Sequence, residues 1–531
     1  MPANDDRKYI EGIQIPIVMG SIVTATFLVL LDTTIIATAV PKITSEFHSL
    51  QDISWYGSAF QLSSAAIQPL VGKLYTQFSL KWVFLGFFFF FELGSLLCGI
   101  ATSSTMLIVG RAVGGIGAAG VFAGSMTIIG TALRPEKRAF LTSLVIGCSQ
   151  LGVVIGPLIG GAFTQKVSWR WCNTGFYINL PLGAVVLAGT LFVTITDQIP
   201  LLPFRQVLPV LHKKLDLVGF CLLSPAAVML LLALQWGGAK YAWDSATIIG
   251  LFCGSGVTFL VFVAWNWHKG QDGLIPTVVA RNRIVIASCC VATTVMGSTF
   301  LCSYWMPVYF QTVKGKNPLV SGVDMLPNIL PSLVFGVLTG FLIGKVGFYL
   351  PFAVVGAAIS TVGAGLLSTL HPNSSTSHWV GYLFLLSVGR GLAQQTSFIA
   401  IPQATVPDLV PVAMSTMIFS QYMGGSVFLS LSNVIFSTSL RSQLAKEAPG
   451  VDPEMVVKAG ASAVRDIGIP EELLPGVLQA YCTSVNRVFY LAVASGGLLF
   501  VSSFFSGWID TRKRGDAEGT ADTTSADEKL L

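Results

Sequence analysis

The chain has 531 residues, of which 53% are hydrophobic and only 11% charged, with a mean hydropathy of +0.71. Soluble domains carry about 25% charged residues, so this chain has too little polar surface to face water and needs lipid as its solvent. The net charge of +5 then argues for no nucleic-acid partner; it matters only through where the Lys and Arg fall.

In chain order, residues 1–14 form a polar N-terminal segment, and the first apolar run follows without a cleavage site, so it reads as a retained signal-anchor. A spanning helix needs about 20 mostly apolar residues. Fourteen such runs are predicted, near 15–39, 53–72, 82–101, 106–132, 140–163, 175–195, 216–236, 246–267, 284–309, 320–344, 350–370, 379–401, 412–438 and 486–508. An even number places both termini on one side. On that side fall Arg7, Lys8, Lys73, Lys81, Arg134, Lys137, Arg138, Arg205, Lys213, Lys214, Lys269, Arg281, Arg283, Lys345, Arg512, Lys513, Arg514 and Lys529. The opposite loops hold only Lys42, Lys166, Arg170, Lys240, Lys314 and Lys316. The positive-inside rule therefore predicts cytoplasmic termini. Two outward segments follow from this: a loop with the sequon Asn373-Ser374-Ser375, which makes Asn373 a candidate for glycosylation, and a longer segment over 440–485. The acidic tail after Arg514 is read as disordered.

Two phrases recur far apart. Val109-Gly110-Arg111 and Val388-Gly389-Arg390 each lie inside an apolar run, and Gly72-Lys73 and Gly344-Lys345 end two others. An arginine at the middle of a spanning helix costs roughly 2.5–3.5 kcal/mol on insertion scales, so a chain that carries it twice in register reads as an internal duplication. Duplicated halves around a polar midplane site are a common construction of secondary transporters. Asp32 and Glu92 are the intramembrane acids. Burial favours a neutral carboxyl and a nearby arginine favours the carboxylate, so Asp32, Arg111 and Glu92 are candidates for proton coupling. A helix-end salt bridge at Asp32 and a purely structural hub at each arginine are the competing readings. Gly152, Gly156 and Gly160, with Pro157 and Gly161 beside them, form one small-residue stripe. Gly336, Gly340 and Gly344 form another, and the two are expected to face each other across the halves and serve conformational change. Gln61, Gln68, Gln150, Asn179, Gln394, Gln395, Gln403 and Gln421 are candidates to line a cavity for large, mostly uncharged, amphipathic small molecules. The nine cysteines include no CxxC pair and the five histidines lie in or beside loops, so no metal or cofactor is expected.

These motifs resemble the major facilitator superfamily, in its fourteen-span drug:H+ antiporter group. Leu31-Asp32-Thr33-Thr34-Ile35 through Pro41 is similar to that group's first-helix motif, and Arg111 with Gly115, Gly117 and Ala118-Ala119 to its fourth-helix motif. Gly152, Gly156-Pro157 and Gly160-Gly161 resemble the antiporter motif. Trp169-Arg170-Trp171, then Phe176-Tyr177-Ile178-Asn179-Leu180-Pro181, resembles a phrase specific to the fourteen-span group, while Leu232 to Gly238 and Tyr304 to Gln311 resemble the fungal branch. Two departures stand out: Thr76 occupies the position of the family's loop acid, and Ser143 that of its first fifth-helix glycine.

The resemblance implies an all-α membrane fold. Its parts are a cytoplasmic N-terminus over 1–14, a six-helix bundle over 15–195, linkers and two inserted spans over 196–283, a second six-helix bundle over 284–508, and a cytoplasmic tail over 509–531. It implies proton-coupled export of fungal secondary metabolites, toxins or drugs by a monomer, in the plasma membrane or alternatively the vacuolar membrane. A proton-coupled uptake carrier for a siderophore or nutrient is the alternative. The histidine positions count against a membrane enzyme.

Overall fold

The structure is a computed structural model that describes residues 10, 12–47, 53–166, 169–193, 195, 214–238, 240–453, 455–456, 469–470 and 472–510. Within these, side chains are described except at 34–46, 53–54, 135–136, 154, 157–178 and 318–319. The long helices are α1 (Gln14–Phe47), α2 (Ile53–Gln77), α3 (Leu80–Gly99), α4 (Ser104–Ala132), α5 (Pro135–Lys166), α6 (Trp169–Phe192) and α7 (Leu217–Trp236). They continue as α8 (Ala246–Lys269), α9 (Arg283–Val308), α10 (Leu326–Val346), α11 (Leu350–Leu367), α12 (Thr376–Ala404), α13 (Val410–Glu447) and α14 (Leu474–Phe504). Among the described residues, 10 helices are long and apolar enough to cross a membrane. α2 and α12 fall short because they carry polar residues toward other helices: Gln68 on α2, and Arg390, Gln395, Thr396 and Ser397 on α12, are buried. Neighbouring helices supply the partners that lipid cannot. α5 and α6 are only partly described by side chain.

Two helices overrun their predicted ends. α1 continues past the expected boundary at 39 to Phe47, so Asp32 lies in the interior of a long helix and not near an end. Both ends of the 440–485 segment are helix, because α13 runs on to Glu447 and α14 already begins at Leu474. A hydropathy window ends where lipid-facing residues end; the helix itself ends only where its backbone hydrogen bonds do.

The same set of neighbours occurs twice. In the first half α1 packs on α5 and α6, α3 on α4 and α6, and α2 on α4. In the second half α9 packs on α13 and α14, α11 on α12 and α14, and α10 on α12. The halves meet mainly through α2 on α13 and α5 on α10, and α7 pairs with α8 beside α2 and α13. The end of the bundle where α1 starts is called the near end below, and the opposite end the far end.

Candidate functional site

The repeated Gly-Arg phrase has a repeated geometry. On α4, a Cβ at Gly110 would stand 2.8 Å from Cys98 Sγ of α3, so the helices touch there. The next residue, Arg111, reaches the other way and donates from Nε to the Tyr56 carbonyl in the first turn of α2 at 2.9 Å. On α12, a Cβ at Gly389 would stand 2.7 Å from Ser360 Cα of α11. Arg390 donates from Nη2 to the Asn328 carbonyl in the first turn of α10 at 3.1 Å. Each arginine thus ties the fourth helix of its half to the start of the second.

The halves differ in what else the arginine meets. Arg111 forms a fully buried ion pair with Asp32, Nη1 to Oδ2 at 2.5 Å, with the two side chains 2% and 3% exposed. Its guanidinium also lies 4.5 Å from the Phe60 ring centroid. Arg390 donates to the Asn328 side-chain oxygen, which also accepts from the Cys302 thiol at 3.3 Å. Among the described residues, its Nε and Nη1 have no hydrogen-bond partner. Only the first half, among the described residues, pairs its arginine with an acid.

A cavity of about 820 Å³ lies in the far part of the bundle. Thr33, Ser58, Phe60, Gln61 and Arg111 come from the first half; Phe300, Tyr304, Trp305, Ser426, Ser430, Asn433 and Ser437 come from the second. Among the described residues, Arg111 is the only Asp, Glu, Lys, Arg or His in the lining, and it is paired with Asp32. The described walls are therefore aromatic and hydroxyl-rich with their one charge paired, and the volume suits an amphipathic molecule of drug size.

The near end is closed. A Cβ at Gly72 of α2 would stand 2.7 Å from Val412 Cα and 2.9 Å from the Pro411 carbonyl oxygen, both beside or within α13. Ser415 donates to the Gln68 carbonyl. A Cβ at Gly340 of α10 would overlap Ser143 Oγ and stand 2.6 Å from the Ala139 carbonyl oxygen of α5. Ser143, in place of the expected glycine, fills the space that Gly340 leaves. Thr76, in place of the expected acid, donates to the Lys73 carbonyl of its own helix at 2.8 Å.

Several expected site residues fall elsewhere. Gln61 lines the cavity; Gln150, Asn179, Gln394, Gln395 and Gln421 are not among its lining residues. Asn179 donates to Ser95 at 3.0 Å in the α3–α6 contact. Gln395 lies against Gly336, and Gln421 approaches Met296 Sδ at 3.6 Å. Glu92 of α3 packs against α6, where a Cβ at Gly183 would stand 2.6 Å from its carboxyl carbon, and among the described residues neither carboxyl oxygen has a hydrogen-bond partner. Of the two glycine stripes, Gly152 abuts α1 at the Phe27 carbonyl oxygen and Leu31 N, Gly336 lies against Gln395 of α12, and Gly340 meets Ser143 and Ala139 of α5. Gly156 is buried and Gly344 half-buried, and the side-chain surroundings of Pro157, Gly160 and Gly161 lie outside the described residues. Asn373 is exposed in the turn between α11 and α12. The α13 polar wall was missed, although Ser426, Ser430, Asn433 and Ser437 are spaced as one face of a helix.

A helical bundle of two repeated halves, closed at one end around a cavity with a buried acid–base pair in its wall, has the construction of a secondary transporter. The Major Facilitator Superfamily profile matches residues 22–429, and the chain belongs to that superfamily: it is a multi-pass membrane transporter, not an enzyme. It is 50% identical over 508 residues to the MFS-type transporter pigP of Monascus ruber, covering 96% of this chain and 88% of that protein. It is 46% identical over 528 residues to the efflux pump mlcE of Penicillium citrinum, covering 97% and 94%. To the efflux pump mokI of Monascus pilosus it is 44% identical over 509 residues, covering 94% and 93%. Among solved structures, the proton:xylose symporter XylE bound to 6-bromo-6-deoxy-D-glucose matches with a TM-score of 0.60 at 13% identity, covering 95% of this chain and 98% of that one. The human organic anion transporter MFSD10 matches with a TM-score of 0.58 at 12% identity, covering 94% and 100%. At such identities the likeness is one of fold.

Proposed function

We propose that the protein exports uncharged amphipathic small molecules, of the kind fungi make as secondary metabolites, in exchange for protons. The observation that carries this reading is the buried Asp32–Arg111 pair beside a neutral-walled cavity that Arg111 itself lines. Asp32 takes a proton from the far side; the neutral carboxyl no longer holds Arg111 by charge, and the α1–α2–α4 junction is free to rearrange. With the far end closed and the near end open, the proton leaves to the near side and cargo loads. Relatives named efflux pumps, at 44–46% identity, favour export over the uptake carrier weighed above.

In this reading all fourteen long helices cross the plasma membrane, both termini are cytoplasmic, and the monomer is the working unit. The bundles over 15–195 and 284–508 rock about the α2–α13 and α5–α10 seams, and α7–α8 is inserted between them. Gly152, Gly156, Pro157, Gly160, Gly161, Gly336, Gly340 and Gly344 provide the close, yielding contacts that rocking needs. Asp32→Asn is the decisive test. It cannot bind a proton but keeps its shape, so it should lose pH-driven accumulation in vesicles while still binding cargo. Uphill transport by Asp32→Asn under an imposed pH difference would remove Asp32 from coupling and make Glu92 the leading candidate.

A further inference from the structure

The inserted pair α7–α8 is not an appendage on the bundle's rim. α7 lies in the cleft between α2 and α13, which belong to different halves. Ser224 donates to the Ala66 carbonyl of α2. Leu231 is 2% exposed, in one apolar cluster with Leu62 and Ala65 of α2 and against Met423 of α13. One turn further on, Leu234, Gln235, Gly237 and Gly238 of the insert reach the cavity, and Trp243 from the turn before α8 joins them. The insert is therefore a third wall of the cavity, beside those built by the two halves.

Its tip is built to hold one shape. Gly238 takes φ +72°, which favours glycine, and its N–H donates to the Tyr241 carbonyl at 2.8 Å. The Lys240 and Tyr241 N–H groups both donate to the Trp236 carbonyl, at 2.9 and 3.1 Å. The Lys240 ammonium sits over the Trp236 and Tyr241 rings at 5.3 and 5.5 Å, and Trp236 meets Trp55 of α2 edge-on at 6.1 Å. The Trp243 ring is laid on this turn: a Cβ at Gly237 would stand 2.5 Å from it, and Phe252 stacks near it with centroids 6.4 Å apart. Trp243 remains 40% exposed and is among the residues that line the cavity. Among the described residues neither the Gln235 amide nor the Trp243 indole N–H has a hydrogen-bond partner. A rigid ring and an amide with both donor and acceptor thus line the cavity, where the one charge among the described lining residues, Arg111, is paired with Asp32.

We propose that this hairpin tip determines cargo specificity. Trp243 stacks on a flat unsaturated ring system of the cargo and Gln235 hydrogen-bonds its carbonyl or hydroxyl group, so the favoured class is uncharged, planar and oxygenated. This rests on the export reading above. The test uses cells expressing the full chain and loaded with Nile red, a neutral planar ketone dye, or rhodamine 6G, a planar cation, with initial efflux rates measured against dye load at equal surface level. Wild type should export Nile red in preference to rhodamine 6G. Trp243→Ala should raise KM for Nile red roughly fivefold, the loss expected for one aromatic contact, with kcat little changed; Trp243→Phe should restore most of it. Gln235→Leu should raise the same KM, and Leu260→Ala, on the lipid-facing side of α8, should leave it unchanged. Unchanged KM in both Trp243→Ala and Gln235→Leu, or a fall in kcat alone, overturns the assignment. A wild type that exports only rhodamine 6G overturns the neutral-cargo class. A wild type that exports neither dye removes the export reading itself, and this assignment with it.

Discussion

Gly340 is where the near-end seam has least room, and Gly340→Leu should jam it. A Cβ there would overlap Ser143 Oγ and lie 2.6 Å from the Ala139 carbonyl oxygen, a backbone atom of α5 that cannot turn aside. Overpacking of this kind costs about 1–3 kcal/mol, which lowers the share of molecules with a closed near end by roughly fivefold to a hundredfold. The penalty falls only on the state in which α5 and α10 touch, so insertion and surface level should be kept. Export should fall, and a cysteine placed at Ser430 in the far cavity should react more slowly with a membrane-impermeant maleimide added from the far side. Gly340→Ala should show a weaker form of the defect, eased by Ser143→Gly, which removes the overlapping hydroxyl. Normal export and unchanged labelling in Gly340→Leu at normal surface level would refute the reasoning, because the seam would then not close as described.

Arg111→Ala should lower the thermal stability of the purified protein, since removing one partner of a buried pair costs about 3–5 kcal/mol; Asp32→Asn combined with Arg111→Gln should regain much of that stability but not proton-driven export. Glu92→Gln, isosteric and in a contact whose described residues offer its oxygens no donor, should keep uphill export in pH-jump vesicles; loss of coupling there, with Asp32→Asn still coupled, would move the proton site to Glu92. An epitope at residue 460 should be reached by antibody in intact cells and one at residue 520 only after permeabilisation, and the reverse pattern would invert the proposed topology. Asn373→Gln should abolish any mobility shift produced by glycosidase treatment.

The class of fold was legible because it rests on strong signals: long apolar runs, and a Gly-Arg phrase that has the same geometric meaning in both halves. The Asp32–Arg111 pair was legible for a related reason, since buried ionisable groups in lipid need partners and few are available. Cavity placement was not legible at the same level. In a helix that is apolar all round, one Gln looks like another: Gln61 lines the cavity, while Gln68 meets Ser415 in the near-end seam. Which face turns inward is decided by packing with helices distant in sequence, and nothing local reports it. The same holds for the insert, whose Leu232 to Gly238 phrase was visible as a motif but whose seat between α2 and α13 arises only from tertiary contact. The glycine stripes show a subtler limit. Spacing identified surfaces for close approach, yet Gly152 uses its surface against α1, within its own half.

Arg390 gives the two halves unequal responses to voltage. A guanidinium does not lose its proton in a protein, and among the described residues no acid balances this one, so the second half carries a fixed positive charge through the whole cycle. In the proposed exchange the first half would gain its positive charge only while Asp32 is protonated. A charge carried through the full membrane field is worth about 2.3 kcal/mol per 100 mV, and the proposed rocking would move Arg390 through only part of it. Even so, the step that displaces Arg390 must be electrically sensitive when the cargo itself is neutral. If the carrier works by the proposed proton exchange, the resting potential would act on the empty carrier's return as well as on the proton, and the rate of turnover should vary with voltage at constant pH.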